Sequence, residues 1–125
     1  MGGLPRRSAL RWRDYETAAG HRPTKEFIMS LPEGDRAEVV AAMKDVALNG
    51  LSVARHVRGE IYEVRATGVN RIYRVLFASE TKFILLALDA FSKTTQRTPA
   101  AKIGLAERRL REWRNRGKKN LKSVD

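Results

Sequence analysis

The sequence predicts an α+β fold: an antiparallel sheet of about four strands, covered by an N-terminal helical hairpin and followed by a C-terminal helix. Three observations predict it. Residues 58–93 hold three successive runs rich in β-branched and aromatic residues, R-G-E-I-Y-E-V-R, N-R-I-Y-R-V-L-F and K-F-I-L-L-A-L-D-A-F-S-K. Ahead of them, residues 24–49 carry apolar side chains at helical spacing, interrupted at Pro32. After them, Thr98-Pro99 opens a segment whose apolar positions again recur every three or four residues.

In chain order, residues 10–17 alternate Leu10, Trp12 and Asp14 against Arg11, Arg13 and Tyr15, which suits a half-exposed edge strand. Gly20-His21-Arg22-Pro23 breaks it. Thr24 is placed to cap a short helix over 25–31, with Phe27, Ile28 and Leu31 on one side and Pro32 as its stop. Asp35 is placed to cap a second helix that runs to Asn49 and ends at Gly50. Its stripe of Val39, Val40, Met43, Val46 and Ala47 is expected to face the core, with Met43 as packing.

Residues 51–57 read as a connector that places Arg55 and His56 just ahead of Arg58 and Gly59. That cluster is either a solvated loop or the rim of an anion site. The three strands follow, with turns expected at Thr67-Gly68-Val69-Asn70 and Ser79-Glu80-Thr81-Lys82. Residues 83–90 are apolar on both faces, so this run is expected to be the most buried strand, at the sheet centre. A polar, basic loop over 91–98 leads to Thr98 as cap and Pro99 as first helical residue. The final helix carries Ile103, Ala106, Leu110 and Trp113 on one side, and Lys102, Arg108, Arg109, Arg111 and Arg114 on the other. Trp113 reads as a core or partner-facing anchor. Residues 1–116 are expected to form one domain and 117–125 a basic, flexible tail.

Charge narrows the function. A chain of 125 residues with formal net charge +11 and pI near 10.7 is drawn to polyanions, whether nucleic acid, a ribosome, an acidic membrane or an acidic protein partner, unless the charge serves only as a soluble basic surface. The absence of cysteine excludes disulfides and thiolate zinc sites, and two histidines leave little for any other metal site, so no metal or cofactor is expected. The N-terminus has no apolar run of signal-peptide length, and the longest apolar run is far too short to span a membrane. The expectation is a cytoplasmic protein without membrane contact.

The strands contain charges that need partners. Glu63 and Arg65, two residues apart, share one sheet face, while Tyr62 and Val64 take the other; Arg74 shares a face with Ile72 and Leu76. Burying an unpaired arginine is costly. The partner is either an internal carboxylate, with Glu63 nearest, or a phosphate brought by a ligand. His56 is open to a structural, an exposed or a proton-transfer role.

Taken together, K-E-F-I-M-S-L-P, R-G-E-I-Y-E-V-R, R-I-Y-R-V-L-F, D-A-F-S-K-T and Q-R-T-P-A-A-K-I-G-L-A, in this order over residues 10–113, resemble the RelE/HigB superfamily of toxins from bacterial toxin–antitoxin pairs, in particular its phage-derived HigB-like branch. The resemblance implies a RelE-like fold and a ribosome-dependent, metal-independent endoribonuclease that cuts messenger RNA. It also implies neutralisation by a cognate antitoxin, a helix-turn-helix protein of HigA-like type. Carried over residue by residue, the catalytic set is Arg65, Arg74, Lys93 and Arg58, with His56 near the position where some relatives have a histidine; His56 and Tyr73 are the candidates for proton transfer. Cations expected to bind RNA are Arg55, Arg71, Arg97, Lys102 and Arg109. Two departures touch the site: Thr94 stands where the family has a second lysine, and Phe91 where some relatives have a tyrosine. The competing reading is a non-catalytic binding toxin or co-regulator of the same fold, ParE-like or held in a repressor complex. A third is a prophage remnant that has lost activity.

Overall fold

A computed structural model describes the backbone of residues 9–93 and 97–124, with side chains for all of these but 93 and 118–124. Its elements are β1 (Arg11–Asp14), α1 (Pro23–Met29), α2 (Glu33–Asn49), a single 3-10 turn (Gly50–Val53), β2 (Arg55–Arg58), β3 (Ile61–Thr67), β4 (Ile72–Ser79), β5 (Ile84–Lys93) and α3 (Ala100–Val124). The strands form one sheet in the order β1-β5-β4-β3-β2. The class is α+β as expected, but the sheet has five strands and is mixed: β1 runs parallel to β5, and every other pair is antiparallel.

Both corrections have physical reasons. β2 is only four residues long and exposed at all but Val57, so R-H-V-R reads as connector until β3 supplies its hydrogen-bonding partner. The direction of β1 is set by a neighbour far along the chain, with Trp12 beside Leu85 and Arg13 beside Leu86. As expected, β5 is buried on both faces, but it is second from the edge, and β4 occupies the centre.

The sheet is covered on both sides. Ile28 of α1 and Val39 and Val46 of α2 pack with Val64, Val75, Phe77 and Leu85 on one face. Ala106 and Leu110 of α3 pack with Ile61, Leu76, Leu86 and Leu88 on the other, and Trp113 joins them. Met43 and Trp12 are packing residues on the first face; the Trp12 indole N–H donates to the Met43 carbonyl at 2.8 Å. The alternation in β5 breaks at Leu88, where two steps of β5 oppose one of β4, from Leu76↔Asp89 to Phe77↔Ala87. The bulge turns both Leu88 and Asp89 toward α3.

Helix ends differ from the expectation where a side chain has a better partner elsewhere. α2 starts at Glu33, and Asp35 does not cap it: its carboxylate accepts the Val69 N–H at 3.0 Å and the Tyr73 hydroxyl, tying α2 to the β3–β4 turn. Gly68 completes that tie, since a Cβ there would lie 2.7 Å from both Asp35 Cγ and Tyr73 Cε2. α1 starts at Pro23, which leaves Thr24 buried inside the first turn. α2 ends at Gly50 as expected: its N–H donates to the Val46 carbonyl, and its φ of 77°, which glycine adopts readily, turns the chain out of the helix. α3 continues past residue 116 to Val124; lysine is a good helix former, and cations suit a helix C-terminus.

Candidate nucleic-acid site on the C-terminal helix side

Three strands bring arginines together on the face that α3 covers. Strand alternation places Arg65 on the same side as Ile61, and register sets Arg65 directly across from Arg74 and Glu63 across from Arg55. Arg65 donates its Nε–H to Glu63 Oε1 at 2.7 Å, and the Thr98 hydroxyl donates to the other Glu63 oxygen. The internal-carboxylate reading therefore holds for Arg65. Glu63 is itself buried, while Arg65 keeps 30% of its side chain exposed.

Arg74 is fully buried. Burial lowers the proton affinity of its guanidinium below the usual arginine range, the nearby Arg65 and Arg55 lower it further, and Glu63 works in the opposite direction. Arginine remains protonated at neutral pH in spite of this. Three guanidinium groups thus lie beside one buried carboxylate. The uncovered edge of β3 beyond Glu63 opens into a groove of about 430 Å3, lined by Arg55, Glu63 and Arg65 and, from the α2 side, by Asp45.

A second concavity, of about 820 Å3, lies at the other side of Arg74. Phe91, opposite Arg74 in register, lines it with Ser92, Asn70, Arg71, Pro99, Lys102 and Phe27. Arg71 donates to the Ser92 hydroxyl at 3.3 Å and is otherwise exposed. The ammonium of Lys102 stands 5.1 Å over the Phe91 ring and 3.4 Å from Asp89.

The other expected site residues are placed as follows. Arg58 is exposed and bound through both Nε and Nη2 to Glu107 of α3, which raises its pKa further. It sits across from Ile61, four residues along β3 from Arg65, on the order of 13 Å at strand spacing. His56 is paired with Tyr62, on the face that α1 and α2 cover, and its Nε2 contacts the Gly59 carbonyl at 2.8 Å. Tyr73 is on that same face, bound to Asp35. Neither residue meets the arginine cluster. Lys93 closes β5 opposite Ile72 in the backbone ladder, and its side chain lies outside the described residues, as does all of Thr94. Arg97 is exposed. Arg109 points inward, donating to the Leu88 carbonyl at 2.7 Å and to Asp89 at 3.3 Å, so it anchors α3 at the β5 bulge.

Sequence reasoning named Glu63 as the nearest counter-ion, and the structure bears that out for Arg65. It missed the part played by Asp89, which holds Lys102 and Arg109. The signal was present: a lone carboxylate inside an apolar strand needs a cation close by. Among the described residues no group of three or more acidic or histidine side chains is placed to hold a metal ion, and no helix is long and apolar enough to cross a membrane.

Most of the sequence matches known proteins. The family described as phage-derived protein Gp49-like matches residues 26–111. Two proteins from Mycobacterium tuberculosis, one from strain CDC 1551 / Oshkosh and one from strain ATCC 25618 / H37Rv, each carry the name "Probable endoribonuclease HigB1". Each is 33% identical to this chain over 107 residues, covering 82% of the chain and 84% of the relative. With most of the chain matched by both, it belongs to the Gp49-like family of phage-derived proteins, within the RelE/HigB-like toxins.

Proposed function

We propose that this chain is the toxin of a toxin–antitoxin pair and an endoribonuclease that cuts messenger RNA on the ribosome. The observation that carries the reading is the convergence of Arg55, Arg65 and Arg74, from three adjacent strands, on the face bearing the strongly basic α3. The likeness to proteins named as endoribonucleases supports it.

Cleavage by attack of a ribose 2′-OH on the adjacent phosphodiester needs the nucleophile aligned and negative charge on the phosphorane-like transition state stabilised. Guanidinium forks match nonbridging phosphate oxygens in charge and geometry. Arg65 is the fork that solvent reaches, held in place by Glu63. Arg74 acts from beneath, adding positive potential in a low-dielectric position where it counts for most. Arg55, Arg71 and Arg97 are the exposed cations that extend the site, and contacts of this kind bind RNA chiefly through phosphate. Lys93 and Arg58 would support phosphate or the leaving 5′-oxygen, Arg58 only on release from Glu107. Lys102 and Arg109 act mainly by seating α3. The partner that neutralises the toxin is a cognate antitoxin of helix-turn-helix type.

A second reading, a non-catalytic inhibitor of the same fold, is favoured by one observation: His56 and Tyr73, the two proton-transfer candidates, face away from the arginines. The deciding experiment maps messenger RNA ends by primer extension after brief induction, comparing the wild type with Arg65→Ala. Cuts within translated codons that vanish in the variant support the nuclease and its site. Growth arrest without cuts moves the protein to the second reading. Purified messenger with and without ribosomes then tests ribosome dependence.

A further inference from the structure

The helical side of the molecule has a surface that the RNA site does not use. α2 has apolar residues on both of its sides: Val39 and Val46 pack on the sheet, while Val40 and Leu48 turn outward at 41% and 65% exposure. Val40 and Leu48 lie outside the stripe that packs on the sheet and are left uncovered. Met29 of α1 adds to the same surface at 57% exposure. Between α1, α2 and β1 lies a groove of about 260 Å3, lined by Ile28, Met29, Val40 and Met43 and flanked by Lys25 and Lys44.

Neither lysine forms an ion pair among the described residues, whereas Asp14, also at the groove, is held by Arg22 at 2.9 Å. The uncompensated local charge is therefore positive. Val40, Lys44 and Leu48 follow one another at four-residue steps, so they line one ridge of α2. The groove is smaller than the roughly 300–1,000 Å3 of small-molecule sites. Its apolar lining is aliphatic apart from Trp12, whose indole N–H donates to the Met43 carbonyl and whose ring packs at 5.0 Å against Phe77 in the core, so it gives no row of aromatic faces on which successive bases could stack.

We propose that this groove docks the neutralising partner protein through an amphipathic helix, whose apolar anchors fill it and whose flanking carboxylates meet Lys25 and Lys44. The inference rests on the reading of this chain as the toxin of a pair. It adds that the contact is on the face opposite the Arg55–Arg65–Arg74 cluster. This is the helix-in-groove mode, in which apolar anchors set affinity and rim charges set association rate.

The test uses the full chain with its cognate antitoxin. Val40→Glu and Leu48→Glu change exposed helix positions, and a Lys25→Glu/Lys44→Glu double variant reverses the rim charge. Circular dichroism checks that each is folded. The expected result is antitoxin binding at least about tenfold weaker in both glutamate variants, because a carboxylate would enter the apolar contact. The double variant is expected to associate more slowly and with less dependence on salt. Growth arrest by the chain alone should remain, while rescue by the antitoxin is lost. Unchanged antitoxin binding in folded variants overturns the proposal, as does binding lost only on charge reversal at Arg55 or Arg65. A self-associated chain that Val40→Glu dissociates, with antitoxin binding intact, also overturns it in favour of a second copy. A chain that binds antitoxin through the groove yet never arrests growth upholds the docking surface and refutes the toxin reading.

Discussion

Replacing Glu63 by glutamine keeps the side-chain shape and removes one charge, at the point where the candidate site depends on it most. Glu63 is buried, accepts from Arg65 at 2.7 Å and from the Thr98 hydroxyl, and lies beside the fully buried Arg74. Removing one partner of a buried ion pair costs about 3–5 kcal/mol, because the remaining charge stays desolvated. Here the 30% exposure of Arg65 lets water screen part of that charge, which brings the expected loss to roughly 2–4 kcal/mol. With a urea m-value of about 2 kcal/mol/M, that loss lowers the unfolding midpoint by roughly 1–2 M. Equilibrium unfolding of Glu63→Gln measures it directly. A double-mutant cycle with Arg65→Met isolates the pair, and a coupling of at least about 1 kcal/mol is expected for groups in contact. A midpoint shift under about 0.3 M, or strict additivity in the cycle, would refute Glu63 as the counter-ion that positions Arg65.

The cations should separate into two behaviours. Arg109→Ala should lower stability by about 1–3 kcal/mol, since it removes the bonds to the Leu88 carbonyl and to Asp89. Arg97→Ala, at an exposed position, should leave stability unchanged within about 0.5 kcal/mol and reduce the slope of log RNA affinity against log salt by about one; thermal melts and salt-titrated binding check the two. Acid should unfold the chain through its held carboxylates. The Tyr73 hydroxyl and the Val69 N–H hold Asp35 below the usual carboxylate range, and Arg114 and Arg58 do the same for Glu60 and Glu107. Each contribution is complete above about pH 4–5 and is lost as pH falls through the lowered value. Tyr73→Phe should return Asp35 toward its ordinary value and make stability less steeply pH-dependent below about pH 4, as denaturant midpoints between pH 2 and 6 would show.

The local elements were legible because they rest on local physics. The three long strands, their two turns, the stop at Gly50 and the Ile103–Trp113 stripe follow from period, turn residues and breakers within a few positions of one another. Family membership was legible too, because several motifs in fixed order are a property of the chain itself. The alternation of β3 put Glu63 and Arg65 on one face, which made the carboxylate an available partner before any neighbour was known. Only the tertiary structure decided which cations work together. Arg74 meets Arg65 because of the β3–β4 register, His56 turns away because its strand pairs it with Tyr62, and Arg109 points inward because a bulge in β5 presents Leu88 and Asp89 to it. β1 joins β5 in parallel across more than sixty intervening residues, and Val40 faces outward from a stripe that spacing alone would bury. The reason is common to all of these. Periodicity assigns a side chain to a face, but the partner on that face comes from a distant stretch of chain, and long-range register sets it.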